Sequence, residues 1–247
     1  MAASWGCFDL QRQEFLYEAL KHAGVDTSYL PEVRKGHFLI GKTRDGVPVM
    51  GSIGDNQASL FDSVRDLEDT VLLNVGTGSQ ISFVSEEFVE CGGSVELRPC
   101  TESSYILVGA SLCGGRAYAM LEQAEDFLEK YGKEAVWKVD TAFSGTRSDP
   151  SRRGMITGIG VENFHPGALT AGVICGILDE LHEQYEQMCK LTGKKATRLA
   201  GSGNGIRRNP LMRKLAEEMF GMPMYVSEYE EEAACGAALC AGKVLTK

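Results

Sequence analysis

An α/β fold is what this sequence predicts, and three observations carry the expectation. Short apolar or alternating runs of strand length, such as VLLNV and YILVG, recur between longer segments whose apolar residues follow helical spacing. The last quarter reads strand, glycine loop, helix, strand, helix, an order in which a glycine loop opens a helix. Finally, 247 residues with 43% hydrophobic and 24% charged side chains suffice for one large domain, or one domain with an appendage, of ordinary globular composition.

Taken in order, QRQEFLYEALKHAG sets Phe15, Leu16, Ala19, Leu20 and Ala23 at helical spacing before Gly24 stops the run. After the proline-marked SYLPEV, residues 37–41 and 47–53 are short apolar stretches around the turn Arg44-Asp45-Gly46, which predicts a small β-unit. Gly54 permits a tight turn, Asp55 is placed to cap, and residues 56–64 have helical composition. Asp55 is therefore expected exposed at a strand-to-helix junction. Residues 71–73 read as a strand, Gly76-Thr77-Gly78 as the permissive tip of a β-hairpin, and the alternating Ile81 and Phe83 as the return strand.

Cys91-Gly92-Gly93 reads as a turn, and residues 105–108 as a compact strand ending in Gly109-Ala110-Ser111. A helix is expected to start there, burying Leu112, Ala119, Met120, Ala124, Phe127 and Leu128 and exposing Glu122, Glu125, Asp126 and Glu129. Residues 143–154 have loop composition, residues 155–159 read as a strand, and residues 167–191 as a long helix with Ala171, Ile174, Cys175, Leu178, Leu181 and Tyr185 inward. The closing series is strand 196–200, loop 201–205, a helix over 209–220 opened by Asn209 and Pro210, strand 224–226 and helix 230–242. The small residues of that last helix permit close backbone approach.

A net charge of −9 argues against a nucleic-acid surface, because the basic residues form only doublets such as Arg152-Arg153 and Lys194-Lys195. Eight cysteines without C-x-x-C spacing, and four histidines (His22, His37, His165, His182) without ligand spacing, predict free thiols and structural histidines rather than a metal centre. With no signal peptide and no membrane-length apolar run in the sequence, a reduced cytoplasmic setting is expected, with no membrane partner.

Two stretches carry chemistry. Asp55 offers a carboxylate, and the GTG tip offers backbone N–H groups and the Thr77 hydroxyl to one anion, with phosphate the natural guess. Each has a plain alternative: an Asp before a helix commonly caps it, and glycine turns join strands in most β-containing proteins.

The ordered series GDNQA, GTG, GAS, SGTRSDPSRRG, GSG before a helix, and EEAACGAALCAG resembles the FGGY family of carbohydrate kinases across most of the chain. With LPEV, GDNQAS and the GSGNGIRRN loop it is most similar to sedoheptulokinase-like members, on a framework that xylulokinase-like and gluconokinase-like members share. The resemblance implies a ribonuclease-H-like domain of actin and hexokinase type, a mixed sheet flanked by helices. Residues 1–64 would be the tail end of the family's N-terminal domain and residues 65–247 its C-terminal, ATP-binding domain. The implied reaction moves the γ-phosphoryl of ATP, as a Mg2+ complex, to a hydroxyl of a sugar or polyol. A ketose such as sedoheptulose is the expected acceptor, with xylulose, gluconate or glycerol as alternatives.

By the same resemblance Asp55 matches the catalytic carboxylate that takes the proton of the attacking hydroxyl, and Asn56 a residue that touches the sugar. Gly76, Thr77 and Gly78 match a phosphate-binding hairpin, Gly109 a glycine approaching the nucleotide, and Gly203 and Asn204 the adenosine loop. Three departures stand out. Cys113 occupies a position that is often Gln, the adenosine loop is longer than GGGxxxN, and no D-x-G-T hairpin precedes Asp55. The long loop leaves Arg208 and Asn209 open as the family's Asn, and Arg207 and Arg208 open between phosphate and solvent. The missing hairpin implies a half-enzyme, inactive or weak alone, needing a separate N-terminal kinase domain or a second copy of itself. A non-catalytic nucleotide-binding or assembly module is the alternative.

Overall fold

The computed structural model describes residues 1–113, 121–147 and 149–245, and the side chains of all of these except 121–123. Before the main sheet come strands β1 (Phe8–Asp9) and β2 (Glu14–Phe15), helix α1 (Tyr17–His22), strands β3 (Leu39–Lys42) and β4 (Pro48–Met50), and helix α2 (Asp55–Ser63). The sheet strands β5 (Thr70–Val75), β6 (Ser79–Ser85), β7 (Val95–Pro99) and β8 (Tyr105–Ser111) follow. After them come α3 (Leu121–Tyr131), β9 (Lys138–Val139), β10 (Ile156–Thr157) and the long α4 (Pro166–Thr192). The chain closes with β11 (Arg198–Ser202), α5 (Asn204–Arg207), α6 (Pro210–Phe220), β12 (Met224–Val226) and α7 (Glu232–Leu245).

Six strands make the main sheet in the order β12-β11-β5-β6-β8-β7. It is mixed: β12, β11 and β5 run parallel, and β6, β8 and β7 alternate antiparallel. Because side chains alternate across a strand, β5, β6, β8 and β11 each feed two cores. Val71, Leu73, Ile81, Phe83 and Leu107 join Ile174, Leu178 and Leu181 of α4. Leu72, Val84, Ile106, Val108 and Ala200 join Leu60 of α2 and Val64, which follows it, on the other face. Runs buried on both faces explain why VLLNV and YILV read as continuous apolar strands.

Helix α7 crosses α2 at very close range. A Cβ on Gly236 would stand 1.7 Å from the Ala58 carbonyl oxygen, so the contact exists only because residue 236 is glycine. Helix α2 lies over the β5, β6, β8 and β11 side chains of the second core, with α7 packed against it.

Several sequence expectations need correction. The amphipathic run at 11–24 folds as a hairpin first: Asp9 Oδ1 accepts the amides of Gln11 and Arg12, Gln13 adopts φ 56°, and Phe15 is buried under Trp5, Phe8 and Tyr17. Only Tyr17–His22 remains helical, and Gly24 ends it at φ 78°. The helix expected from Ser111 does not begin there, because Leu112 is exposed beyond the end of β8. Ala119 and Met120 lie outside the described residues, but Ala124 and Phe127 are buried as expected. The predicted strand over 155–159 shrinks to Ile156–Thr157 paired with β9, while Met155 and Ile159 are exposed.

Elsewhere expectation and structure agree. Asn209 Oδ1 accepts the amide of Met212 at 3.0 Å and Pro210 opens α6. His165 Nδ1 accepts the amide of Gly167 and so caps α4, a structural use for a histidine.

Candidate active site at the glycine-loop edge

Strand register decides which loops meet. Ser79 pairs with Val75 and with Ser111, and Ser202 pairs with Asn74, so the β5–β6 tip, the end of β8 and the end of β11 share one edge of the sheet. Side chains tie them together: Asn74 Nδ2 donates to Ser202 Oγ at 2.8 Å, and Ser79 Oγ donates to the Cys113 carbonyl at 2.8 Å. Neither Asn74 nor Ser202 stands out in the sequence, where Asn74 follows the strand 71–73 and Ser202 lies within the glycine loop 201–205.

At the tip, the Gly76 amide donates to the Gly78 carbonyl at 2.8 Å, closing the turn. Thr77 and Gly78 are exposed beyond it. Gly203 has φ 78° and ψ 158°, a conformation open essentially to glycine alone. A Cβ there would also stand 2.6 Å from the Val75 carbonyl oxygen, and one on Gly205 2.3 Å from the same atom. The glycines of GSGNG thus let the β11–α5 loop lie directly on the hairpin strand. The part read as a loop over 201–205 is strand to Ser202 and helix from Asn204.

Gly109 lies inside β8, below the hairpin. Its vacant side-chain position is filled by Gln184 of α4, whose atoms would stand 2.3 Å from a Cβ at that site. Asp55 stands outside the loop cluster, exposed in the first turn of α2. The cap position belongs to Gly54, and Asp55 Oδ1 accepts the Asn56 amide at 2.8 Å, so the expectation of an Asp55 side-chain cap is corrected. An acid in the first helical turn still suits the positive end of the helix. Asn56 is half-buried, and Gln57 Nε2 donates to the Pro99 carbonyl at 2.8 Å, fixing the start of α2 to the end of β7.

Arg207 is paired rather than open to phosphate. Its guanidinium donates to Glu232 Oε1 at 2.7 and 3.1 Å, to the Ser227 carbonyl at 2.8 Å, and to the Tyr229 carbonyl. Arg208 remains exposed, while Asn209 is buried, its Oδ1 taken by the cap and its Nδ2 without a hydrogen-bond partner among the described residues.

A cavity of about 950 Å³ lies on the α4 side between β7, β9 and α4. Glu96, Asp140, Arg147, Arg152 and Glu180 are among its lining residues. Its arginines are already paired, Arg147 with Glu96 at 2.8 Å and Arg152 with Asp140 at 2.7 Å, so size alone does not make it the anion site. Among the described residues no cluster of three His, Cys, Asp or Glu is placed to hold a metal ion, and no helix is long and apolar enough to cross a membrane.

A mixed sheet flanked by helices on both faces, with glycine loops meeting at one edge, defines a ribonuclease-H-like domain of the kind that sugar kinases use. The model of the FGGY family of carbohydrate kinases, C-terminal domain, matches residues 99–244, and the chain belongs to that family. It is 27% identical to human sedoheptulokinase over 271 residues, covering 96% of this chain and 56% of that protein. It is 31% identical to glycerol kinase of Aquifex aeolicus over 266 residues, covering 95% and 52%. The structure of xylulose kinase from Lactobacillus acidophilus superposes with a TM-score of 0.87 at 19% identity, covering 100% of this chain and 55% of that one. The chain therefore spans about half the length of the curated relatives it matches.

Proposed function

We propose that this chain is the nucleotide-binding half of an ATP-dependent carbohydrate kinase, its residues 65–247 forming the family's C-terminal domain and 1–64 the end of the N-terminal one. The single observation that carries the reading is the convergence of the Gly76–Gly78 tip, the end of β8 and the Gly203–Asn204 loop on one sheet edge. Phosphoryl transfer depends on positioning and on donors aimed at developing charge, and glycine loops that bring backbone close together suit both demands.

In this reading Gly76, Thr77 and Gly78 hold the transferring phosphate and Gly203 and Asn204 lie along the rest of the nucleotide, with Gly109 behind them in β8, where the missing side chain makes room for Gln184. Asp55 accepts the proton of the sugar hydroxyl as its oxygen bonds to the γ-phosphorus. The bond from that phosphorus to the β–γ bridging oxygen breaks, and ADP leaves. Asn56 holds a neighbouring hydroxyl. Among the described residues the loops offer hydroxyl and backbone groups and no carboxylate cage, so Mg2+ would be held chiefly by the ATP phosphates and would supply charge neutralisation there. Asp55 needs a sugar-bearing wall opposite it. A separate N-terminal kinase domain, or a second copy of the chain, supplies that wall, and the exposed apolar side chains of Ile40, Val47 and Val49 on the β3–β4 ribbon support such a cover.

The acceptor is a ketose of the sedoheptulose type. The 31% identity to a glycerol kinase keeps a polyol as the second reading. The test is ADP release with Mg2+-ATP and a panel of ketoses and polyols, for the chain alone and with an added N-terminal domain, using Asp55→Asn as control. Turnover of one acceptor, lost in Asp55→Asn, supports the reading. Undiminished turnover by Asp55→Asn refutes the role of Asp55.

A further inference from the structure

The helix that follows the glycine loop, α5, is a single turn of four residues and cannot hold itself in place by its own backbone bonds. Something outside it must set the unusual backbone of Gly203. The candidate is visible in the contacts of two side chains that are nearly buried: Arg207 is 15% exposed and Glu232 10%.

Glu232 Oε1 sits between the loop and Arg207. It accepts the amide of Gly203 at 3.3 Å and two N–H groups of Arg207 at 2.7 and 3.1 Å. The other guanidinium donors reach past it to the carbonyls of Ser227 and Tyr229, which lie between β12 and α7. Ser227 continues the chain of contacts, donating its hydroxyl to Asp62 Oδ2 at 3.0 Å near the end of α2. The planar fork of arginine satisfies three acceptors at once, a geometry a lysine ammonium does not reproduce.

We propose that Arg207, through Glu232, is a positioning residue that fixes the Gly203–Asn204 loop for the nucleotide. This rests on the nucleotide reading of the glycine-loop edge and adds to it the device that holds the loop. No contact of Arg207 with phosphate is needed, since the guanidinium is spent inside the clamp. The same chain of contacts joins the loop to α2, which begins with Asp55.

The test is a titration of the chain with a fluorescent ATP analogue in the presence of Mg2+, alongside melting temperatures without nucleotide. Wild type, Arg207→Ala, Arg207→Lys and Glu232→Gln are compared. Arg207→Ala is expected to raise the dissociation constant at least tenfold, and Arg207→Lys to do the same despite its retained charge. Glu232→Gln, whose amide oxygen can still accept from Gly203 and Arg207, is expected to stay within about threefold of wild type. If Arg207→Ala does not fold, Arg207→Lys carries the comparison. Variants that melt lower yet bind as wild type does, or full rescue by Arg207→Lys, overturn the clamp. Failure of wild type to bind the analogue counts against the nucleotide reading instead.

Discussion

Replacing Gly203 by alanine separates a nucleotide loop from an ordinary turn. The new Cβ faces two costs at once. Its backbone at φ 78° and ψ 158° lies in a region that costs a non-glycine residue about 1–3 kcal/mol. Its position 2.6 Å from the Val75 carbonyl oxygen and 3.1 Å from Asn74 Oδ1 forces a shift that costs about 1–3 kcal/mol more. The sum, roughly 2–6 kcal/mol, is below or near the lower end of the stability of a typical domain, about 5–15 kcal/mol. The loop should therefore move away from Val75 while the sheet survives. Affinity for Mg2+-ATP, measured by calorimetric titration, is expected to fall at least tenfold, which is about 1.4 kcal/mol. Gly221→Ala is the control: φ there is 65° but nothing lies within 4 Å of a new Cβ, so it strains the backbone without touching the loop. Equal affinities of Gly203→Ala and wild type would refute the placement of nucleotide at this edge.

Other perturbations probe the scaffold. Gly236→Ala, whose Cβ would meet the Ala58 carbonyl oxygen at 1.7 Å, should part α2 from α7 at about 3 kcal/mol, lowering the melting temperature by about 6–12 °C in a scanning calorimeter. An unchanged melting temperature would mean the helices do not pack this closely. Burial pushes the Cys100 thiol up to about 11, so a thiol reagent at about pH 8 should label Cys100 only on unfolding, as peptide mapping would reveal. The Arg152 guanidinium beside Asp140 holds its carboxyl below the ordinary 3.8. That pairing stabilises the 140–153 segment above the ordinary value and is lost as pH falls through the lowered one. Amide exchange in that segment, corrected for intrinsic rates, should stay level from about pH 7 to about pH 5 and quicken near pH 3.

How much of this was legible beforehand varies with the physics of each segment. Strands buried on both faces announce themselves as apolar runs, and α4, whose inward residues were correctly read except for a half-buried Cys175, has enough turns for its period to show. The edge strand β7 was missed because its alternation, Val95, Glu96, Leu97 and Arg98, lasts only four residues before Pro99, a residue that edge strands tolerate. At the N-terminus a helical period lost to local chemistry, the Asp9 turn and the burial of Phe15. The glycine motifs of the site were legible because close backbone approach demands glycine. Asn74, Ser202 and the Arg207–Glu232 pair were not, since their meaning arises from register and from contacts up to 128 residues apart.

Amide hydrogen exchange with and without Mg2+-ATP is the measurement that tests the central claim most directly. Protection is expected on nucleotide binding at residues 75–79, 111–113 and 202–207, the three segments that meet at the sheet edge. Protection confined to the α4-side cavity, at 138–147 and 176–187, or none anywhere, would contradict a nucleotide site built from the glycine loops.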